Sequence, residues 1–251
     1  MSKILGWILT PLALIALWIT LLVWHPFIVL FYRVNRDLFY KFVALGNGVL
    51  ILDLKLVGAN VTVSGRENLP QNEKVVIVSN HQSYFDIPLF IWIFRQYQPS
   101  FVAKHTLGRF FPSVSFVLRK SGSALINRKI PREALPSIEK MAEIANNEGR
   151  SVCIFPEGTR ARDGELKRFK RPGLIKLLEK TPDYKVLPVY ISGAWKLMKY
   201  NMAPIPFGVD IHVKILEPIC RTGISDDEVA SLCEKRISSY AKDLTTEPKA
   251  V

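Results

Sequence analysis

Apolar residues follow three patterns along this chain. From Ile4 to Tyr32 no side chain carries a formal charge, and the first twenty of these residues, ILGWILTPLALIALWITLLV, would as a helix span a hydrocarbon core of about 30 Å. A second apolar run, Leu38 to Val57, is broken by Lys41, Asp53 and Lys55, so only eleven residues, Phe42 to Leu52, lie between charges. After Gly58 the pattern changes to short β-type runs alternating with helix-type segments.

The first run predicts a membrane helix. A cleaved signal peptide is the alternative, but bulky Trp24, His25 and Pro26 stand where small residues before a cleavage site are expected. Pro26 is expected to stop the helix, leaving Phe27 to Tyr32 near the interface and Arg33 and Arg36 among the head groups. The second run is short for a span, so it predicts either a helix folded back on the first as a hairpin or the sequel to a single-span anchor.

Beyond Gly58, strands are predicted at 59–65, 74–80, 100–104, 123–128, 151–155, 185–191 and 209–216. Helices are predicted at 87–98, 108–119, 132–148, 173–180 and 225–244. Strands separated by helices define an α/β fold with a mainly parallel central sheet flanked by helices. Residues 1–58 then form a membrane anchor, and residues 59–251 carry the chemistry.

Charge narrows the partners. Thirty-four Lys and Arg against twenty-two Asp and Glu leave a formal +12, which favours anionic partners: nucleic acid, an acidic carrier protein or lipid head groups. No RRM, KH or helix-turn-helix pattern accompanies the charge, so nucleic acid is not expected. Cys153, Cys220 and Cys233 lack the spacing of a disulfide framework or zinc site, and no metal is expected.

Candidate chemistry lies at two strand ends. VVIVSNHQSYFDIPL, Val75 to Leu89, runs out of an apolar strand and sets His81 five residues before Asp86. A carboxylate bonded to one ring nitrogen fixes the histidine tautomer, so that the other nitrogen can take a proton from a hydroxyl. The plain alternative is a turn in which Asp86 caps the next helix. No GxSxG elbow is present, which favours direct attack by an external hydroxyl over a serine intermediate. FPEGTRARDG, Phe155 to Gly164, follows the second strand: Pro156 and Gly158 shape a turn, Thr159 adds a hydroxyl and Arg160 a planar fork suited to phosphate. An ordinary β-turn with a solvated arginine is the alternative reading of this segment. Between Ile87 and Arg132 stand eight Lys or Arg and no acid; of these, Lys104 and Arg128 each end a strand and are candidates for phosphate contact. His25 and His212 are expected to be inert.

At these residues the chain resembles the glycerolipid acyltransferase family, and within it the bacterial 1-acyl-glycerol-3-phosphate acyltransferases. NHQSYFD matches the family's NHxSxxD motif, GSALINR resembles the second motif, FPEGTR matches the third and VLPVYI resembles the fourth. The resemblance covers about Val75 to Ile191. It implies acyl transfer from a coenzyme A or acyl carrier protein thioester to the 2-hydroxyl of a lysophospholipid, giving phosphatidic acid where the acceptor is lysophosphatidic acid. No cofactor is implied beyond the acyl co-substrate. It also implies His81 as general base, Asp86 as its orienting partner, and Glu157, Gly158, Thr159 and Arg160 at the glycerol phosphate, with Lys104 and Arg128 as further phosphate ligands. The implied location is the cytoplasmic side of a bacterial inner membrane. Asn127 stands where the family usually has Asp, and Pro172 precedes Gly173 where members often place the glycine sooner. A different lyso-lipid acceptor, and a basic lipid-binding protein without catalysis, remain as alternatives.

Overall fold

The computed structural model describes residues 2–110, 112–127 and 130–246. Two helices come first, α1 (Ser2–Val34) and α2 (Arg36–Asp53), joined at Asn35, whose side chain caps α2 by accepting from the Leu38 N–H. They form an antiparallel hairpin. Phe31 stacks on Phe42 with centroids 4.0 Å apart, the Trp24 indole donates to the Phe42 carbonyl at 3.0 Å, and the Thr20 hydroxyl donates to Asp53 at 2.8 Å. Gly46 lies directly against the Trp24 ring, where any side chain would collide.

This hairpin corrects the sequence reading at Pro26, which does not stop the first helix. α1 continues through both Pro11 and Pro26 to Val34. A proline removes one intrahelical bond and crowds one carbonyl. The contacts of Trp24, Phe27 and Phe31 with Phe42, on both sides of Pro26, hold the helical path across that loss. Of the two arrangements expected for the second apolar run, the hairpin is the one observed.

The remainder is a seven-stranded sheet in the order β1-β7-β6-β2-β5-β3-β4. Its strands are β1 (Asn60–Ser64), β2 (Val75–Ser79), β3 (Ser100–Lys104), β4 (Ala124–Ile126), β5 (Val152–Ile154), β6 (Lys185–Ser192) and β7 (Asp210–Ile215). All neighbours are parallel except β6 and β7, so β1 and β7 run against the other five. The central strands are buried on both faces, which is why their sequences read as continuous apolar runs.

Side-chain alternation divides the core in two. Val75 and Ile77 of β2, with Leu187, Val189 and Ile191 of β6, face α1, α2 and α3 (Asp86–Ile93). Val76, Val78 and Val186 face the opposite way, toward α6 (Pro131–Asn147), α7 (Arg171–Lys180) and α8 (Asp226–Thr246). The segment between β3 and β4 carries α4 (Leu107–Phe110) and α5 (Pro112–Lys120), where one helix over 108–119 was expected.

A polar clamp ties the hairpin to this body. Glu148, at the end of α6, accepts from Arg36 of α2 at 2.9 and 3.0 Å, from the Tyr40 hydroxyl at 3.2 Å and from Arg150 at 2.7 Å. Arg150 is only 3% exposed, and it also donates to the carbonyls of Gln98 and Ser121 and to the Ser100 hydroxyl.

Candidate active site

β2 ends at Ser79, and the next six residues form a tight turn into α3. Asp86, the first residue of α3, reaches back into that turn. Its Oδ2 accepts from the backbone N–H groups of Gln82 at 2.6 Å and Ser83 at 2.9 Å, and lies 2.8 Å from His81 Nδ1. Asp86 is fully buried and His81 is 8% exposed. Two backbone donors already meet on that carboxylate oxygen, and in the neutral imidazole the third contact places the ring proton on Nδ1 and the lone pair on Nε2.

The turn is fixed from outside as well. Asn80 exchanges two hydrogen bonds with the backbone of Ile191 in β6, both at 2.8 Å, continuing the sheet by one side-chain rung. Gln82 is 2% exposed and bridges two segments, its Nε2 donating to the Gly164 carbonyl and its Oε1 accepting from the Trp195 N–H, each at 3.4 Å.

β5 delivers the second motif beside the first, because β2 and β5 are parallel neighbours. Phe155 lies face to face with the His81 ring, centroids 4.6 Å apart and planes 22° from parallel. The Ala161 N–H donates to the His81 carbonyl at 2.7 Å. Between them the chain makes a β-turn closed by Gly158 N–H to Phe155 carbonyl at 3.0 Å, with Gly158 at φ +69°, a conformation natural to glycine. Thr159 is exposed, and the Arg160 guanidinium sits 3.7 Å from the centre of the Tyr84 ring.

Glu157 is 1% exposed, and neither carboxylate oxygen has a hydrogen-bond partner among the described residues. Burial pushes its carboxyl up to about 8, against the weaker opposing pull of the His81 and Lys167 backbone N–H groups and the Lys167 ammonium; the Asp86 charge adds to the rise.

A cavity of about 940 Å³ opens at His81. Its polar end is made by His81, Ser83, Lys104, Thr159, Arg160 and Arg162. Its longer apolar end runs between Leu14, Leu17 and Leu21 of α1, Val43 and Leu50 of α2, Ile87 and Ile91 of α3, and Val114 and Val117 of α5.

Of the residues singled out from sequence, His81, Lys104, Thr159 and Arg160 therefore share one cavity, with Asp86 directly behind His81. Glu157 is buried and does not line the cavity, and Gly158 shapes the turn. Arg128 lies outside the described residues. Asn80, Gln82, Tyr84, Phe155 and Arg162 were not assigned from sequence. All five sit within the two motifs, and that membership was the available signal. His212 is on the exposed side of β7, and all three cysteines are free.

The histidine–carboxylate pair lies at the carboxyl edge of an α/β sheet, where such folds place their ligand sites, and opens on a cavity partly walled by α1 and α2. The acyltransferase family model matches residues 60–192. The chain is 33% identical over 196 residues to the 1-acyl-sn-glycerol-3-phosphate acyltransferase of Borreliella burgdorferi, covering 78% of this chain and 76% of that one. It is 32% identical over 208 residues to the chloroplastic 1-acyl-sn-glycerol-3-phosphate acyltransferase BAT2 of Brassica napus, spanning 82% of this chain but only 57% of that protein's length. The crystal structure of the 1-acyl-sn-glycerophosphate acyltransferase of Thermotoga maritima superposes with a TM-score of 0.79 at 23% identity, covering 99% of this chain and 100% of the other, and so shares the fold. The chain belongs to the acyltransferase family.

Proposed function

We propose that this protein transfers a fatty acyl group from an acyl thioester to the sn-2 hydroxyl of 1-acyl-glycerol-3-phosphate, giving phosphatidic acid. The single observation that carries this reading is the oriented His81–Asp86 pair at the junction of a cationic cavity end and an apolar one.

In the proposed reaction His81 Nε2 takes the proton of the acceptor hydroxyl as its oxygen attacks the thioester carbonyl. Asp86 stabilises the imidazolium that forms. The tetrahedral intermediate collapses by breaking the C–S bond, and the imidazolium returns its proton to the departing thiolate. A thiol with a pKa near 8.5 leaves readily, so the scheme calls on no metal and no acyl-enzyme. Lys104, Thr159 and Arg160 receive the acceptor phosphate, and Arg128 of the second motif is a further candidate ligand by sequence. Gly158 holds the turn that presents these groups, and Glu157 supports that turn from beneath. The apolar arm takes the acyl chain, each buried methylene contributing about 0.8 kcal/mol. The acyl donor is coenzyme A- or carrier-linked.

The chain works at a membrane surface in this reading. α1 is long and apolar enough to cross a bilayer and exposes Trp7, Ile8, Leu12 and Ile19 away from the body. The proposed setting is the inner membrane of a bacterium, with residues 59–251 as the catalytic domain on the cytoplasmic side.

Asn127 in the second motif favours one alternative, an acceptor other than lysophosphatidic acid on the same base. The test is acyl transfer by purified protein in detergent, with lysophosphatidic acid and other lyso-lipids as acceptors. Wild type should form phosphatidic acid and a folded His81→Ala variant almost none; an active variant would overturn the mechanism, and transfer only to another lyso-lipid would move the substrate.

A further inference from the structure

The segment between the β5 turn and α7, Arg160 to Arg171, contains six Lys or Arg against two Asp or Glu. It has no regular secondary structure before α7, yet it is pinned along its length. Ala161 bonds to the His81 carbonyl, Gln82 reaches Gly164, and Gly164 lies flat against the Trp195 indole. At its far end the Phe169 N–H donates to Glu234 at 2.9 Å, and Arg171 pairs with Asp227 and Glu234 of α8 at 3.4 and 3.5 Å.

Of the cations between these anchor points, Lys167 donates to the Arg160 carbonyl at 2.8 Å and the Lys170 side chain lies against Gly158 of the β5 turn. Arg162, Lys167, Arg168 and Lys170 are all exposed, and none pairs with a carboxylate among the described residues. Four unpaired cations on a fixed loop repel one another, which stability alone does not favour; an anionic partner would offset that repulsion.

Position selects the partner. The loop starts on the cavity side of the sheet, where Arg162 lines the cavity beside His81. It then crosses the sheet edge, and Leu166 and Phe169 pack into the opposite core with α7 and α8, on the face away from α1 and α2. Arg168 and Lys170 are exposed on either side of Phe169, whose ring is buried in that opposite core. They are strung along an exposed loop and do not line the cavity at His81, which suits an extended acidic protein face better than a compact phosphorylated head.

We propose that the loop Arg160–Arg171 docks an acidic, soluble carrier protein that presents the acyl thioester on a flexible arm. The arm enters past Arg162 to reach His81, while the carrier rests on Lys167, Arg168 and Lys170. This assignment rests on the acyl-transfer reading for its purpose but has a binding test of its own. The inner cations, Lys104 and Arg160, are left to the acceptor, so the two anions approach from different sides.

The experiment uses the full chain in detergent, as wild type and as the double variant R168E/K170E. Binding of purified acyl carrier protein is measured by titration calorimetry over a salt series, and kcat/KM is measured with hexadecanoyl-carrier and hexadecanoyl-coenzyme A donors. We expect carrier binding to weaken at least about tenfold in the variant and the salt dependence to flatten, with the carrier-to-coenzyme A ratio of kcat/KM falling by a similar factor. Unchanged carrier binding, or equal loss with both donors, would overturn the docking assignment. A parallel arm measures binding to vesicles containing anionic phosphatidylglycerol; a variant deficient there and normal with carrier would make the loop a lipid contact instead. If wild type transfers acyl groups from neither donor, the catalytic reading fails while the calorimetry still decides the docking one.

Discussion

Asn80 and Ile191 face one another across 111 residues of sequence and exchange two hydrogen bonds, side-chain amide to backbone carbonyl and backbone N–H to side-chain oxygen, both at 2.8 Å. The residue before the candidate base is thereby locked to β6. An Asn80→Ala change leaves two fully buried backbone groups unpaired, at about 1–3 kcal/mol each. We expect a fall in melting temperature of about 2–4 °C per kcal/mol, together with loss of acyl transfer, because His81 is the next residue. A variant with unaltered melting and unaltered rate would show that the rung is dispensable.

Asp86 is tested by Asp86→Asn, which keeps the shape and removes the charge. The amide can still accept from Gln82 or Ser83, so the fold should survive, but the imidazolium loses its partner. The expected outcome is a drop in kcat of about 10³-fold with little change in KM. A larger change in KM than in kcat would point to a structural role for Asp86.

Glu157 makes a prediction about pH. Its carboxyl is held at about 8 in the fold by burial, above its ordinary value of 4.5. Between these values the folded state keeps a proton that the unfolded chain has released, so its contribution to stability falls as pH rises from about 4.5 to about 8 and is level beyond. The charged groups facing it are the Lys167 ammonium, which limits the rise, and Asp86, which adds to it. Glu157→Gln should therefore gain melting temperature relative to wild type as pH is raised from 5 to 8. A constant difference across that range would show that Glu157 is ionised throughout.

The clamp at Glu148 predicts an inequality. Removing Arg36 takes away a partly exposed ion pair worth about 1 kcal/mol or less. Removing Glu148 strips the carboxylate from the buried Arg150 as well, a loss that reaches about 3–5 kcal/mol for a fully buried pair and is reduced here because Glu148 is about a third exposed. Thermal unfolding should rank Glu148→Ala below Arg36→Ala. The reverse order would mean that Arg150 is held well enough by its backbone acceptors.

Much of this architecture is legible in the sequence, and the physical reason is period. Seven strands announce themselves through apolar runs, and the helix from Asp86 begins where the turn and Pro88 imply. What escapes is whatever depends on partners distant along the chain. The reversed direction of β1 and β7 has no signature in a run such as VDIHVKIL. Pro26 ends a helix in isolation, but here Phe42, sixteen residues later, holds the helix together. The His81–Asp86 contact was within reach because five residues separate the pair, whereas the stacking of Phe155 under His81 arises only when β5 inserts beside β2.

Trp18 lines the cavity and yet is 47% exposed on the outer surface of α1. A single turn of this helix thus faces both the substrate and the surroundings of the protein, and one substitution there is felt on two fronts. Cutting the chain at Gly58 to gain solubility would remove the part of the cavity wall that α1 and α2 supply. In the proposed reading, attachment and selectivity are inherited together, so neither can drift without the other noticing.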